Sequence, residues 1–232
     1  MSLSENSFAN SSQLDSALAA AVAARLESAI AQSGEAWLVV SGGRTPLGLF
    51  AELANTELSW NKVKVTLADE RWVDNQHRDS NEKLVRENLL VGAAAQAEFV
   101  PLKTADQPTD EALSDLDDTF MRAPRFAALI LGMGDDGHTA SLFPGARALP
   151  AGLDMNSGRS VLAVEPLAVP HLRISLTLPR LLDSDEIFIH IVGENKQRVL
   201  QQAQADGPAE ELPIRAILRQ QATPVSLYWS AS

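Results

Sequence analysis

Cysteine is absent from the 232-residue chain, and that absence removes disulfide frameworks, thiolate nucleophiles and cysteine-ligated zinc. Long apolar runs are missing too, since none approaches the ~18–20 residues of a membrane-spanning helix. The opening Met1-Ser2-Leu3-Ser4-Glu5-Asn6 has neither the basic nor the apolar stretch of a secretory signal. A cytoplasmic protein without a membrane partner is therefore expected. Cations are scarce: 19 Lys and Arg stand against 30 Asp and Glu, for a formal net charge of −11. Nucleic-acid backbones need a basic face, so no nucleic-acid partner is expected. A small phosphorylated ligand stays open, provided a few cations gather locally inside the repulsive field.

What is present is an alternation of strands and helices. Leu14, Leu18, Val22, Leu26 and Ile30 form one apolar stripe over residues 13–32, a helix that Ser33-Gly34 stops. Ala36-Trp37-Leu38-Val39-Val40 is a continuous apolar run, the pattern of a strand buried on both faces. Similar runs recur at residues 63–67, 126–131, 161–164, 187–192 and 225–229, with helical patterns at 46–54, 81–90, 110–121 and 194–204. This rhythm predicts an α/β fold, a mostly parallel sheet covered by helices on both faces in a Rossmann-like, three-layer arrangement. The polar stretches 103–108 and 150–160 are expected as surface loops. The sequence has no internal repeat, and the rhythm resumes after each loop. One domain over residues 1–232 is expected, with disorder over 1–12. A chain of this length buries enough core to need no disulfide or metal staple.

Ligands of open α/β sheets sit beyond the carboxyl ends of the strands, and the segments of unusual composition fall there. Ser41-Gly42-Gly43-Arg44-Thr45-Pro46 follows the first buried strand. Its glycines permit a tight turn and close backbone approach, with Thr45 as a helix cap and Pro46 in the first turn. Such a segment is either a plain strand-to-helix turn or an anion site of free N–H groups; it lacks the Gly-Lys-Ser/Thr of a Walker loop. Asp69-Glu70-Arg71 ends the next strand, either as a solvated ion-paired turn or as an anion or carbonyl contact in which a neighbouring carboxylate holds Arg71. Ser80-Asn81 is a helix start.

Residues 132–145 read Gly-Met-Gly-Asp-Asp-Gly-His-Thr-Ala-Ser-Leu-Phe-Pro-Gly. The literal G-x-G-x-x-G is a poor dinucleotide fingerprint here, because Asp135 and Asp136 would meet the pyrophosphate and no acidic strand end follows at the required distance. His138 stands in a glycine-bounded, carboxylate-rich loop suited to proton exchange near neutral pH. Asp136 or another carboxylate would fix its tautomer. A metal site from Asp135, Asp136 and His138 and a merely capping histidine are the alternatives. Ser141 lacks the glycines of a nucleophile elbow. Arg173 and Lys196 supply cations. Lys196, in the first turn of a helix, opposes the helix dipole unless an anion lies between them. His77, His171 and His190 carry no strong signal, and His190 reads as a core or strand-end residue.

Taken in order from about Ala36 to Trp229, these segments resemble the 6-phosphogluconolactonases. The resemblance implies a fold shared with glucosamine-6-phosphate deaminases and ribose-5-phosphate isomerase. It implies hydrolysis of 6-phospho-D-glucono-1,5-lactone to 6-phospho-D-gluconate, the second step of the oxidative pentose phosphate pathway. Ser41, Gly42, Gly43, Thr45, Arg173 and Lys196 are then the substrate's phosphate contacts. His138 is the general base, with Asp136, Asp69 and Arg71 in the catalytic set. No metal and no cofactor is implied, and a monomer or at most a weak homodimer is expected. The nearest alternative is a glucosamine-6-phosphate deaminase. Those enzymes resemble Asp-Glu-Tyr where this chain has Asp69-Glu70-Arg71, and carry a glutamate where Phe143 stands, so the lactonase reading is favoured. A non-catalytic sugar-phosphate-binding regulator is the remaining alternative; such a protein would be expected to lose the histidine.

Overall fold

A computed structural model describes residues 3–232. Its elements in chain order are β1 (Ser4–Phe8), α1 (Ser11–Ser33), β2 (Ala36–Val40), α2 (Leu47–Ala54), β3 (Val63–Leu67), β4 (Asp69–Arg71) and α3 (Asn81–Asn88). There follow β5 (Glu98–Phe99), α4 (Asp110–Arg122), β6 (Ala128–Leu131), α5 (Leu149–Leu153), β7 (Val161–Val164), β8 (Arg173–Leu176) and α6 (Leu178–Leu182). The last are β9 (Ile187–Val192), α7 (Glu194–Gln204), α8 (Ile214–Arg219) and β10 (Val225–Ser230).

Seven strands form one sheet in the order β1-β10-β9-β6-β2-β3-β5, and every neighbouring pair is parallel. Its central strands β2 and β6 are buried at every residue, which is why they read as unbroken apolar runs: both faces are covered. Helix α1 lays Leu14, Leu18, Val22 and Leu26 into the core. Asn10 caps its start by accepting from the Gln13 N–H, and Gly34 ends it in the left-handed conformation (φ 85°).

Two expectations are corrected. Disorder over residues 1–12 gives way to β1, which pairs with β10 from Ser4↔Ser226 to Phe8↔Ser230, and to the start of α1; Met1 and Ser2 lie outside the described residues. The run at 161–164 and the segment carrying Arg173 leave the parallel sheet. They form an antiparallel three-stranded sheet, β4-β8-β7. The hinge between the sheets is Ala68, whose N–H donates to Val40 O while its own carbonyl accepts from Leu176 N–H. One extended segment thus serves the large sheet as β3 and the small sheet as β4.

Candidate active site

After β2 the chain steps to β3 and β5 on one side; β6 then returns to the other side of β2. Where strand order reverses in this way, the loops at the carboxyl ends splay apart and leave a crevice. The loops after β2, β6 and β9 emerge there. The small sheet adds β4 and β8, and together these elements enclose a cavity of about 350 Å³. Ser41, Gly42, Gly43, Thr45, Asp69, Arg71, His138, Arg173 and Lys196 all line it. Of the residues expected in the catalytic and substrate-binding sets, Asp136 alone does not line it; it contacts His138 instead.

The loop after β2 approaches Asn81 so closely that a Cβ on Gly42 would fall 1.9 Å from its side-chain oxygen. Gly42, Gly43 and Thr45 donate no N–H hydrogen bond among the described residues, so these amides stay available to a ligand. The Ser41 hydroxyl instead commits its proton to Ile130 O at 3.0 Å, tying the end of β2 to β6. Thr45 does not cap α2: the cap position is Pro46, without a side-chain hydrogen bond.

In β4, side chains alternate across the pleat. Asp69 and Arg71 face the cavity, and Glu70 points the other way. There the Glu70 carboxylate accepts from the N–H groups of Arg71, Asn81 and Glu82 and from the Ser80 hydroxyl. Burial pushes this carboxyl above its usual range, against the pull of those four bonds. The carboxylate beside Arg71 therefore anchors the start of α3 and does not hold the guanidinium, as the sequence had implied. That task falls to the Asp79 carbonyl, 2.5 Å from Arg71 Nη1. Asp69, also buried, accepts from the Ser141 hydroxyl at 2.5 Å.

Arg173 pairs in register with Arg71 across the small sheet. Its guanidinium contacts Pro170 O at 3.3 Å, and the Nε atoms of both arginines are buried without a partner. Burial first and the Arg71 charge second hold Arg173 below the usual arginine range, with Asp69, Glu70 and Asp79 opposing.

His138 Nδ1 lies 2.5 Å from Asp136 Oδ1. This pair presses so closely on the loop that a Cβ at position 134 would meet Nδ1 at 2.1 Å, so any residue other than glycine there would have to displace it. Burial alone would raise the Asp136 carboxyl; the hydrogen bond and charge of His138 outweigh it and leave it lowered. An ionised Asp136 accepting from Nδ1–H keeps the ring's other lone pair on Nε2. The Phe143 ring sits 4.4 Å from the His138 ring and 5.9 Å from the Arg173 guanidinium, packing against both the imidazole and the cation. Asp135 turns away from His138 to Lys196, with Oδ1 and Nζ 2.8 Å apart, and that contact lowers its carboxyl. The carboxylates flanking His138 thus diverge, and among the described residues they form no metal cluster with it.

Sequence reasoning missed Asn81, which lines the cavity and donates to Asp69 O at 2.9 Å, and the packing role of Phe143. Asn81 looked like an ordinary helix start, and no local signal marks the second use.

A glycine-lined, cation-flanked crevice at the reversal of a parallel sheet defines an α/β protein that takes a small anionic ligand. The family model for glucosamine-6-phosphate isomerases/6-phosphogluconolactonase matches residues 9–229. A curated 6-phosphogluconolactonase of Rhizobium meliloti is 44% identical over 232 residues, covering 99% of this chain and 100% of that one. Another, from Pseudomonas putida, is 44% identical and covers 95% of this chain and 90% of its own. The crystal structure of a 6-phosphogluconolactonase from Shewanella baltica superposes with a TM-score of 0.95 at 40% identity, over 99% of this chain and 98% of that one. The chain belongs to the glucosamine-6-phosphate isomerase/6-phosphogluconolactonase family.

Proposed function

We propose that the protein hydrolyses 6-phospho-D-glucono-1,5-lactone to 6-phospho-D-gluconate, the second step of the oxidative pentose phosphate pathway, as a cytoplasmic single-domain enzyme. The relatives matched over nearly their whole length carry the lactonase name. The observation that carries the chemistry is the Asp136–His138 pair, set across Phe143 from Arg173.

The phosphate docks on the free amides of Gly42, Gly43 and Thr45 and on Lys196 and Arg173, with Ser41 shaping the loop rather than donating its hydroxyl. That contact places the lactone carbonyl near His138. Nε2 of neutral His138 takes a proton from water as the oxygen attacks C1. Charge developing on the carbonyl oxygen is met by Arg71 or by loop amides. The C1–O5 bond then breaks, the imidazolium returns its proton to O5, and the carboxylic acid product ionises to solvent. Asp136 holds the ring in the tautomer that this sequence needs, and Asp69 keeps the Ser141 end of the loop in place.

The reaction requires no ring opening through an amine, and Phe143 offers no carboxyl for one; this weighs against deamination. Purified protein should accelerate loss of the δ-lactone well above its spontaneous hydrolysis. A rate equal to that background would sink the assignment and leave a binding protein.

A further inference from the structure

We propose that His77, Asp79 and His171 form a binding site for a zinc-like divalent transition metal, outside the catalytic cavity. None of the three lines that cavity. They come from two segments distant in sequence, the loop between β4 and α3 and the loop entering β8. Each offers one ligand atom, and the three atoms lie within 4.8 Å of one another. Asp79 Oδ2 stands 3.0 Å from His171 Nε2 and 3.8 Å from His77 Nδ1. Zinc–ligand bonds of ~2.0–2.1 Å in a tetrahedron space neighbouring donors about 3.3–3.4 Å apart, between those two distances.

The donor set fits the class of ion. Two imidazoles and one carboxylate suit zinc, nickel or copper, whereas magnesium and calcium take oxygen donors. An aspartate carboxyl is ordinarily ionised at neutral pH, so Asp79 can supply the oxygen donor. The His77, Asp79 and His171 side chains are 40%, 37% and 28% exposed, which gives an entry path and room for a water in the fourth position. The two rings already meet edge to face at 5.4 Å, and His171 is held at a φ of 72°, rare for a residue other than glycine. Two features compete. The Asp79 N–H donates to His77 Nδ1 at 3.1 Å, and Arg78, 88% exposed, lies 3.8 Å from Asp79 Oδ1. Ligation displaces the exposed hydrogen bond and lets Arg78 turn to water.

The site connects to the reaction through the backbone. The Asp79 carbonyl holds Arg71, and the Pro170 carbonyl, next to His171, holds Arg173. A metal clipping Asp79 to His171 therefore fixes both carbonyl supports at once. Through Arg173, a phosphate contact in the proposed reaction, its effect belongs on KM. Only this kinetic consequence rests on the lactonase reading; binding itself does not.

The test uses the whole purified protein, stripped of metal, with Zn²⁺ followed by calorimetry and Co²⁺ by its visible ligand-field absorption. The expected result is one saturable equivalent with the intense band of four-coordinate cobalt. At zinc a hundredfold above Kd, melting should rise by about 5–10 °C. His77→Asn and His171→Asn should each weaken binding at least tenfold, while Asp136→Asn leaves it unchanged. Each Asn variant's far-ultraviolet circular dichroism and metal-free melting temperature verify folding. Absence of saturable binding overturns the site, as does binding indifferent to both histidine variants. Binding lost only in Asp136→Asn places the metal at His138 and equally overturns it.

Discussion

Arg71 and Arg173 stand directly opposite one another across the antiparallel pair β4–β8, with the Nε of each buried and without a partner. Like charges in that position repel, and the large cost of burying them calls for an anion. The net charge of −11 makes such a concentration of cations still more conspicuous. In the proposed reaction the pair faces a negatively charged group, either phosphate or developing oxyanion. Arg173→Met should accordingly leave the melting temperature unchanged or raise stability by up to about 1 kcal/mol. Thermal melting of the variant checks this, and a large fall would show that the surrounding carboxylates rely on the cation.

The same residue should be functionally indispensable. Arg173→Ala and Lys196→Ala each remove a charge-assisted hydrogen bond of ~1.5–3 kcal/mol, raising KM roughly ten- to a hundredfold. Unphosphorylated glucono-δ-lactone should be a poor substrate and nearly indifferent to both changes. Equal damage to the two substrates would place these cations on the carbonyl or in a structural role.

His138→Asn tests the base. Asparagine approximates the shape of imidazole but cannot take the proton, so kcat should fall by ~10²–10⁴. Affinity for the product, 6-phosphogluconate, should stay close to that of the parent in calorimetry. A variant retaining more than about a tenth of parent kcat moves the base to Asp69 or Asp136.

Asp136→Asn removes the acceptor of Nδ1–H, and losing that ~1.5–3 kcal/mol contact should lower kcat roughly ten- to a hundredfold. It also has a pH signature. The Asp136 carboxyl is lowered in the folded protein, so its stabilisation is present above the ordinary aspartate value of ~3.9 and lost as pH falls through the lowered one. The stability difference between parent and variant should therefore be constant from neutral pH down to about 5 and shrink only below about 4. A difference that vanishes already near pH 6 would mean the histidine, not the carboxylate, sets it. Asp136 is half-exposed, which keeps the size of this difference small.

Chelators should leave kcat at saturating lactone intact, because no step of the proposed reaction passes through a metal; a kcat lost in EDTA and restored by zinc or magnesium would overturn this. Glucosamine 6-phosphate should release no ammonia, since a phenyl ring at position 143 cannot do a carboxylate's work. Steady ammonia production would redirect the assignment to deamination.

The sequence by itself determined the parallel sheet and the loops that carry the site. Strands buried on both faces must be apolar throughout, so residues 36–40, 63–67 and 187–192 announced themselves, and the matching strands have those bounds. Glycines and charges gathered at strand ends were legible for the same reason, because a buried strand tolerates neither. Tertiary structure alone decided what those charges touch. Glu70 and Arg71 are adjacent in sequence yet fall on opposite faces of a strand only three residues long, too short to betray its period. β1 is mostly polar because it forms the edge of the sheet, so it carries no apolar run. The pairing of Arg71 with Arg173, and of Lys196 with Asp135, spans long stretches of chain. Such contacts are set by strand register and by the return of β6 beside β2, quantities that no local pattern of residues encodes.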